Sequence, residues 1–329
     1  MTIPVVSICV LLLAATAAAD ERFTFERPLM GTRFTIICYA ADRPAAERAA
    51  AAAFADAGEV NSTASDYRPE SELSRLSSQP VGEPVPLSPL LYDLLELSRR
   101  LAEITDGAFD PTVGPLTRLW REAAASGRLP DPEALRSARL AVGWRHFTLD
   151  PEARTVTLHR PHMAFDLGGV AKGHAADLML ESLVKEGLPR SLIAAGGDIR
   201  AGDPPPGREG WQVALQTFDP VRADEILVLS NAAVSTSGDL HQAVEIDGVR
   251  YSHILDPVTG LGLTRRIAAS VVADHAGLSD ALATAACVLG PDGAEALKEL
   301  PGVRALKLRR PPGPGNDPDI QVNHPQEHE

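Results

Sequence analysis

The sequence predicts an α+β fold with a mixed, largely antiparallel sheet core and packed helices, and three observations lead there. Hairpin signals recur: 146–149 and 155–158 are short apolar strands around Asp150-Pro151, and Asp247-Gly248 divides an alternating run at 244–251. Helical segments fall between these hairpins without the regular strand–helix alternation of a doubly wound sheet. The composition is that of a globular chain, with 44% hydrophobic and 23% charged residues over a length of 329.

Residues 3–13 are almost wholly apolar and run through small residues at 14–19 into Asp20-Glu21-Arg22. Ala17-x-Ala19 before Asp20 fits cleavage of a secretory signal. The stretch is too short for a comfortable membrane span, so no stable span is expected after cleavage. No Lys or Arg precedes it, and a buried N-terminal helix is the plainer alternative; the polar residues that follow at once disfavour it. The expectation is an exported, periplasmic protein with a signal at 1–19, a folded domain at 20–308 and a disordered tail at 309–329, rich in Pro, Gly, Asp and Glu. Cys38 and Cys287 lie in apolar surroundings and read as buried free thiols, although export would permit a disulfide. There is no Cys-x-x-Cys to hold zinc or a redox dithiol. The net charge of −13 disfavours nucleic acid or an anionic membrane as the main partner. An anionic ligand would need specific Lys or Arg, or a bound cation.

Along the chain, 33–40 reads as a strand, and Ala-rich 44–60 as a helix. A polar connection at 67–87 carries Tyr67. Ser88-Pro89 starts a helix, a cap followed by proline in the first turn, and it stops near Gly107. Asp131-Pro132 opens a shorter helix. Helices are expected at 171–187, 278–289 and 292–299, and strands at 191–195, 211–217, 226–230, 233–236 and 268–273.

Four clusters could carry chemistry. Asp166-Leu167-Gly168-Gly169-Val170-Ala171-Lys172-Gly173 joins a strand to a helix through glycines, with a Lys beside free N–H groups. Such a turn suits a phosphate, or is simply a tight connection with a solvated Lys. Asp280 and Thr284 are four apart on one helix face. Their hard oxygens could ligate Mg²⁺, or Ser279 and Asp280 could be ordinary capping residues. His253, with Ile254 after it, leaves a strand ahead of Asp256-Pro257 and could be a general base, a ligand contact or a structural histidine. The turn-rich stretch 107–116, containing Ala108, Phe109 and Asp110, could cradle a ligand or be a rigid loop.

Together these segments resemble the ApbE family of FAD:protein FMN transferases. The matching stretches are Met30-Gly31-Thr32, 67–74, 107–116, 166–173, Gly196-Gly197-Asp198-Ile199, Thr236-Ser237-Gly238-Asp239, 253–260 and 280–284, in the family's order and across nearly the whole mature chain. The resemblance implies an ApbE-like, T-fold-related architecture. It implies Mg²⁺-dependent transfer of FMN from FAD to a Thr or Ser hydroxyl of a target flavoprotein, releasing AMP. By motif position, Asp280 and Thr284 would bind the metal by side chains and Gly169 by its carbonyl. Met30, Tyr67, Ala108, Phe109, Asp110, Asp166, Lys172, His253 and Ile254 would contact FAD, and His253 is the candidate base. The implied target is a subunit of a membrane electron-transfer complex. One segment departs: where the family commonly has Tyr and then Arg after the Asp239 position, this chain has Leu240, His241 and Gln242. An FAD pyrophosphatase yielding FMN and AMP, and a non-catalytic flavin-delivery protein, are the alternative functions.

Overall fold

The computed structural model describes residues 20–311 except 217, 219–222, 224 and 239–242. The expected signal at 1–19, the tail from 312 onward and the Leu240-His241-Gln242 departure therefore lie outside the described residues.

The chain opens with a hairpin, β1 (Glu21–Leu29) and β2 (Thr32–Ala40), turned by Met30 and Gly31 at φ 49° and 71°. Helix α1 (Arg43–Thr63) is capped by the Asp42 carboxylate, which accepts from Ala45 N at 2.8 Å. The expected polar connection is not wholly irregular. It holds α2 (Glu72–Leu76) and β3 (Pro84–Pro86), both too short to leave a periodic signal. Helix α3 (Pro89–Ile104) begins as expected, with Ser88 Oγ accepting from Leu91 N at 3.3 Å. Ser88→Ala should cost about 1 kcal/mol in chemical denaturation, with the m-value unchanged.

Helix α4 (Gly114–Ser126) was not foreseen, because turn residues at 107–115 mask its start; α5 (Pro132–Leu140) follows. Strands β4 (Phe147–Asp150) and β5 (Thr155–Leu158) pair as expected, and β3 adds to β5. Then come α6 (Ala171–Lys185), β6 (Ser191–Ala195) and β7 (Asp198–Ala201), the last beginning where only a turn was expected. The hairpin β8 (Trp211–Leu215) and β9 (Glu225–Leu229) precedes β10 (Ala232–Gly238). The Asp-Gly signal is realised as β11 (Ala243–Ile246) and β12 (Val249–Ser252), with φ of 51° and 74° at Asp247 and Gly248. Strand β13 (Ala268–Ala273), helix α7 (Ala276–Ala294) and β14 (Val303–Arg309) complete the described chain. Arg309 is the end of β14 rather than the start of a tail: it is 8% exposed and pairs with Glu225 at 2.9 Å.

Seven strands form one sheet in the order β1-β2-β6-β7-β10-β13-β14, with every neighbouring pair antiparallel. The sheet is therefore more uniformly antiparallel than the mixed one expected; the parallel pairing among the described residues is an isolated bridge, Val113 to Ala164. Strand β2 shows why it has two apolar faces. Phe34, Ile36, Cys38 and Ala40 point to the helix side, while Ile37 and Tyr39 meet Trp211 and its neighbours on the β8–β9 side. Helices α1, α6 and α7 cover the first face. Alanines at 46, 49, 50, 53 and 57 of α1, and at 175 and 176 of α6, are buried there, and their small size lets the helices lie close. Cys38 and Cys287 are free and buried, and burial pushes their thiols up to about 11 and about 12. Among the described residues no helix is long and apolar enough to cross a membrane.

Candidate functional site

One cleft of about 2020 Å³ opens where the ends of β2, β7 and β10 meet α6, α7 and the loops after α3 and β12. Its volume exceeds the several hundred to roughly 1,000 Å³ of an ordinary small-ligand pocket. Every residue to which the family resemblance gave a flavin, metal or base role lines it. Met30 comes from the β1–β2 turn, Tyr67 from the segment after α1, and Ala108, Phe109 and Asp110 from the loop after α3. Asp166, Gly169 and Lys172 flank the start of α6, His253 and Ile254 follow β12, and Asp280 and Thr284 lie on α7.

At its inner end Lys172 Nζ stands 2.9 Å from Asp198 Oδ2 and 3.3 Å from Asp280 Oδ2. Gly173 N also donates to Asp280 Oδ2, at 3.2 Å. Two buried carboxylates thus share one ammonium, so with both ionised the cluster carries one surplus negative charge. Burial, and then the Asp198 charge, push the Asp280 carboxyl up to about 7. Burial acts to lower Lys172, but the two carboxylates outweigh it and hold the ammonium above its usual range.

Helix α7 begins at Ala276, so Ser279 and Asp280 lie within it and are not its caps. The capping is done from α6, where the Asp177 carboxylate accepts from Ala276 N and Gly277 N, both at 2.9 Å. The plainer reading of Asp280 therefore falls away. Ser279 Oγ instead bonds Ser235 Oγ at 2.8 Å, and Thr284 Oγ1 lies 3.2 Å from Ser237 Oγ, tying α7 to β10. A Cβ added at Gly169 would sit 3.2 Å from Thr284 Oγ1, so a side chain there would crowd that hydroxyl.

These residues fit a Mg²⁺ ion. The hydrogen bonds to Asp280 fall on Oδ2, leaving Oδ1 without a protein donor among the described residues. The net charge calls for a cation, and carboxylate, hydroxyl and carbonyl are hard oxygen donors. No cluster of three His, Cys, Asp or Glu suited to a metal occurs among the described residues.

The outer part of the cleft is differently built. Tyr67 is 74% exposed, and the Arg121 guanidinium lies 3.8 Å from its ring centroid. Arg121 also pairs with Asp66 at 2.7 Å and reaches Asp166 at 3.8 Å. Asp166 Oδ1 accepts from Gly168 N at 2.8 Å, which holds the glycine turn in shape. Asp110 is buried, and its carboxylate accepts from Thr112 N at 2.8 Å, Thr112 Oγ1 at 2.6 Å and Trp144 N at 2.9 Å. Those bonds spend its oxygens on fastening the 107–116 loop to the chain at 144. Phe109 is buried beside Gly169, Ile254 is buried, and His253 is exposed toward the cleft.

Asp198, Ser237, Asp177, Asp66 and Arg121 are the cleft and support residues to which sequence reasoning gave no role. Asp198 and Ser237 sat inside motifs already noted, whereas Arg121 lies on a helix that the sequence did not reveal, and nothing local marked it.

The ApbE family model matches residues 30–307. The chain is 33% identical over 307 residues to the FAD:protein FMN transferase of Vibrio cholerae, covering 91% of this chain and 90% of that protein. It is 35% identical over 297 residues to the Treponema pallidum protein of the same name, covering 84% and 82%. Among solved structures it is similar to the flavinyl transferase ApbE of Pseudomonas stutzeri in its apo form. That match has a TM-score of 0.79 at 30% identity and covers 90% of this chain and 93% of that one. The flavin transferase ApbE of Vibrio cholerae matches with the same TM-score and identity, covering 88% and 94%.

Proposed function

The chain belongs to the ApbE family and is a flavin transferase, and from that premise we propose that it moves FMN from FAD to a Thr or Ser hydroxyl of a target flavoprotein, releasing AMP, with Mg²⁺ held by Asp280, Thr284 and the Gly169 carbonyl. The observation that carries the metal part is the buried Asp280–Lys172–Asp198 cluster with its surplus negative charge. When bound, the cation would neutralise charge on the diphosphate and on the departing AMP phosphate.

The protein's own groups account for the rest. Lys172, held by Asp198 and Asp280, reaches the Gly168 carbonyl of the glycine turn at 3.3 Å, and the start of α6 there favours an anion; the ammonium is already matched by the two carboxylates, so neutralising the diphosphate falls to the cation. Tyr67 offers an exposed ring, steadied from one side by Arg121, against which an aromatic ring of FAD can stack. The acceptor oxygen bonds to the FMN phosphorus, the bond from that phosphorus to the bridging oxygen breaks, and the oxygen leaves on AMP. The hydroxyl proton passes to His253, which faces the cleft. The apolar stretch at 3–13 and Ala17-x-Ala19 support export, and with it a target exposed on the exported side, such as a subunit of a membrane electron-transfer complex.

The test is incubation with FAD and Mg²⁺, with and without a co-expressed candidate target, followed by mass spectrometry of the target and assay of AMP. Covalent FMN with matching AMP is expected. Free FMN and AMP without a modified target would identify a pyrophosphatase, and intact FAD a binding protein. His253→Ala should slow transfer by roughly 10²–10⁴-fold with FAD binding retained. Full transfer by that variant would remove His253 from the chemistry.

A further inference from the structure

A protein acceptor must rest on the rim of the cleft while one of its hydroxyls reaches inside, and the rim near His253 has a groove of its own. This groove, of about 350 Å³, is lined by Arg136, Arg139, Leu140, Val142, Pro257 and Val258. Pro257 also lines the main cleft, so the groove lies beside it. Leu140 and Val258 are each 72% exposed, unusual for apolar side chains placed together on two separate elements. Helix α5, which supplies Arg136, Arg139 and Leu140, buries none of its residues fully.

The walls of the groove are tied together. Asp256 Oδ1 accepts from Val258 N at 2.8 Å and Thr259 N at 3.4 Å, which closes the turn that presents Pro257 and Val258. Gly260 ends that turn at φ 75°, and a Cβ there would lie 2.8 Å from Leu135 of α5 and 2.9 Å from Leu116 of α4. The turn and α5 are therefore packed against each other, on the same segment that carries His253.

Its charge runs against that of the molecule. In a chain of net charge −13, two arginines face this groove. Arg136 pairs with Glu133 across one exposed helical turn, a contact worth little and easily exchanged. Arg139 has no carboxylate partner among the described residues. Leu140, Val142, Pro257 and Val258 offer apolar contact beside them.

Resting on the transfer reading above, we propose that this groove docks the acceptor protein through a segment next to the modified hydroxyl, one that pairs a carboxylate with an apolar side chain. The arginines choose the charge of that segment and the apolar walls hold it, so that the acceptor hydroxyl approaches along the 253–257 segment.

The probes are fluorescent peptides with a central Thr flanked by Asp-Glu-Leu, Asn-Gln-Leu or Lys-Lys-Leu. Binding is read by anisotropy, and transfer by mass spectrometry with FAD and Mg²⁺ present. The acidic peptide should bind tightest, with affinity that falls as salt rises. Joint Arg136→Glu and Arg139→Glu substitution should weaken it roughly tenfold, turn the preference toward the lysine peptide, and leave cleavage of FAD in the absence of peptide unchanged. Joint Leu140→Ser and Val258→Ser substitution should weaken all three peptides alike. Equal treatment of the peptides by the wild-type protein, binding to none, or an acidic preference that survives charge reversal would each overturn the docking proposal. Charge-selective binding with no FMN on any peptide would sustain the groove and overturn the transfer reading instead.

Discussion

Asp280→Asn should lower Mg²⁺-dependent flavin transfer by about 10³-fold or more, because a catalytic cation contributes several kcal/mol of charge stabilisation and Asp280 is the charged side chain proposed to hold it. The variant should fold. Its amide oxygen can still accept from Gly173 N and Lys172 Nζ, and removing the charge leaves Lys172 and Asp198 as a balanced pair. Folding and metal binding can therefore be separated by thermal unfolding. Mg²⁺ should raise the Tm of the wild-type protein by selective binding to the native state, and should fail to raise that of Asp280→Asn. A variant that kept full activity, or kept its Mg²⁺-induced shift, would show that the cation sits elsewhere.

Gly173→Ala should destabilise the protein although it adds a better helix former. Alanine gains at most about 1 kcal/mol over glycine in helix propensity, the value for a helix interior, and Gly173 is in the first turn of α6. Here, however, the new Cβ would stand 2.2 Å from Ala276 O and 2.8 Å from Gly277 N, both backbone atoms at the start of α7. Helices α6 and α7 must separate to admit it, and overpacking of this kind costs about 3 kcal/mol. The net loss of about 2 kcal/mol should lower Tm by roughly 4–8 °C for a domain of this size. Activity should fall with it, since the same movement pulls Gly173 N from Asp280 and the α7 start from Asp177. Gly58→Ala is the control: it lies inside α1 with no atom within 4 Å of the new Cβ, so it should stabilise by about 0.5–1 kcal/mol. If both substitutions shifted Tm in the same direction, close contact between α6 and α7 would not be the reason for glycine at 173.

Much of the molecule was written in local pattern. The α1, α3, α5 and α6 helices, the β4–β5 pair, the β11–β12 hairpin and strands β6 and β13 all fall where caps, periodicity and turn residues place them. The residues proposed for the site stand in the glycine turns, the Asp280–Thr284 pair and the His253 segment, in the order of the ApbE motifs, and the fold gathers them along one cleft.

What sequence alone determined here is whatever depends on neighbours along the chain: which segments are helix or strand, which residues can offer oxygen ligands or a base, and the family to which the pattern belongs. Tertiary structure decided the rest, since it depends on partners far apart in sequence. From its neighbours alone Asp280 reads first as a helix cap, and that reading falls only when α7 is seen to begin at Ala276 and to be capped by Asp177, 99 residues earlier. Asp198 looks like a turn residue until Lys172 is placed between it and Asp280. The surplus charge that calls for a cation belongs to no segment; it exists because folding brings two carboxylates and one ammonium together out of water, where their energies no longer screen away.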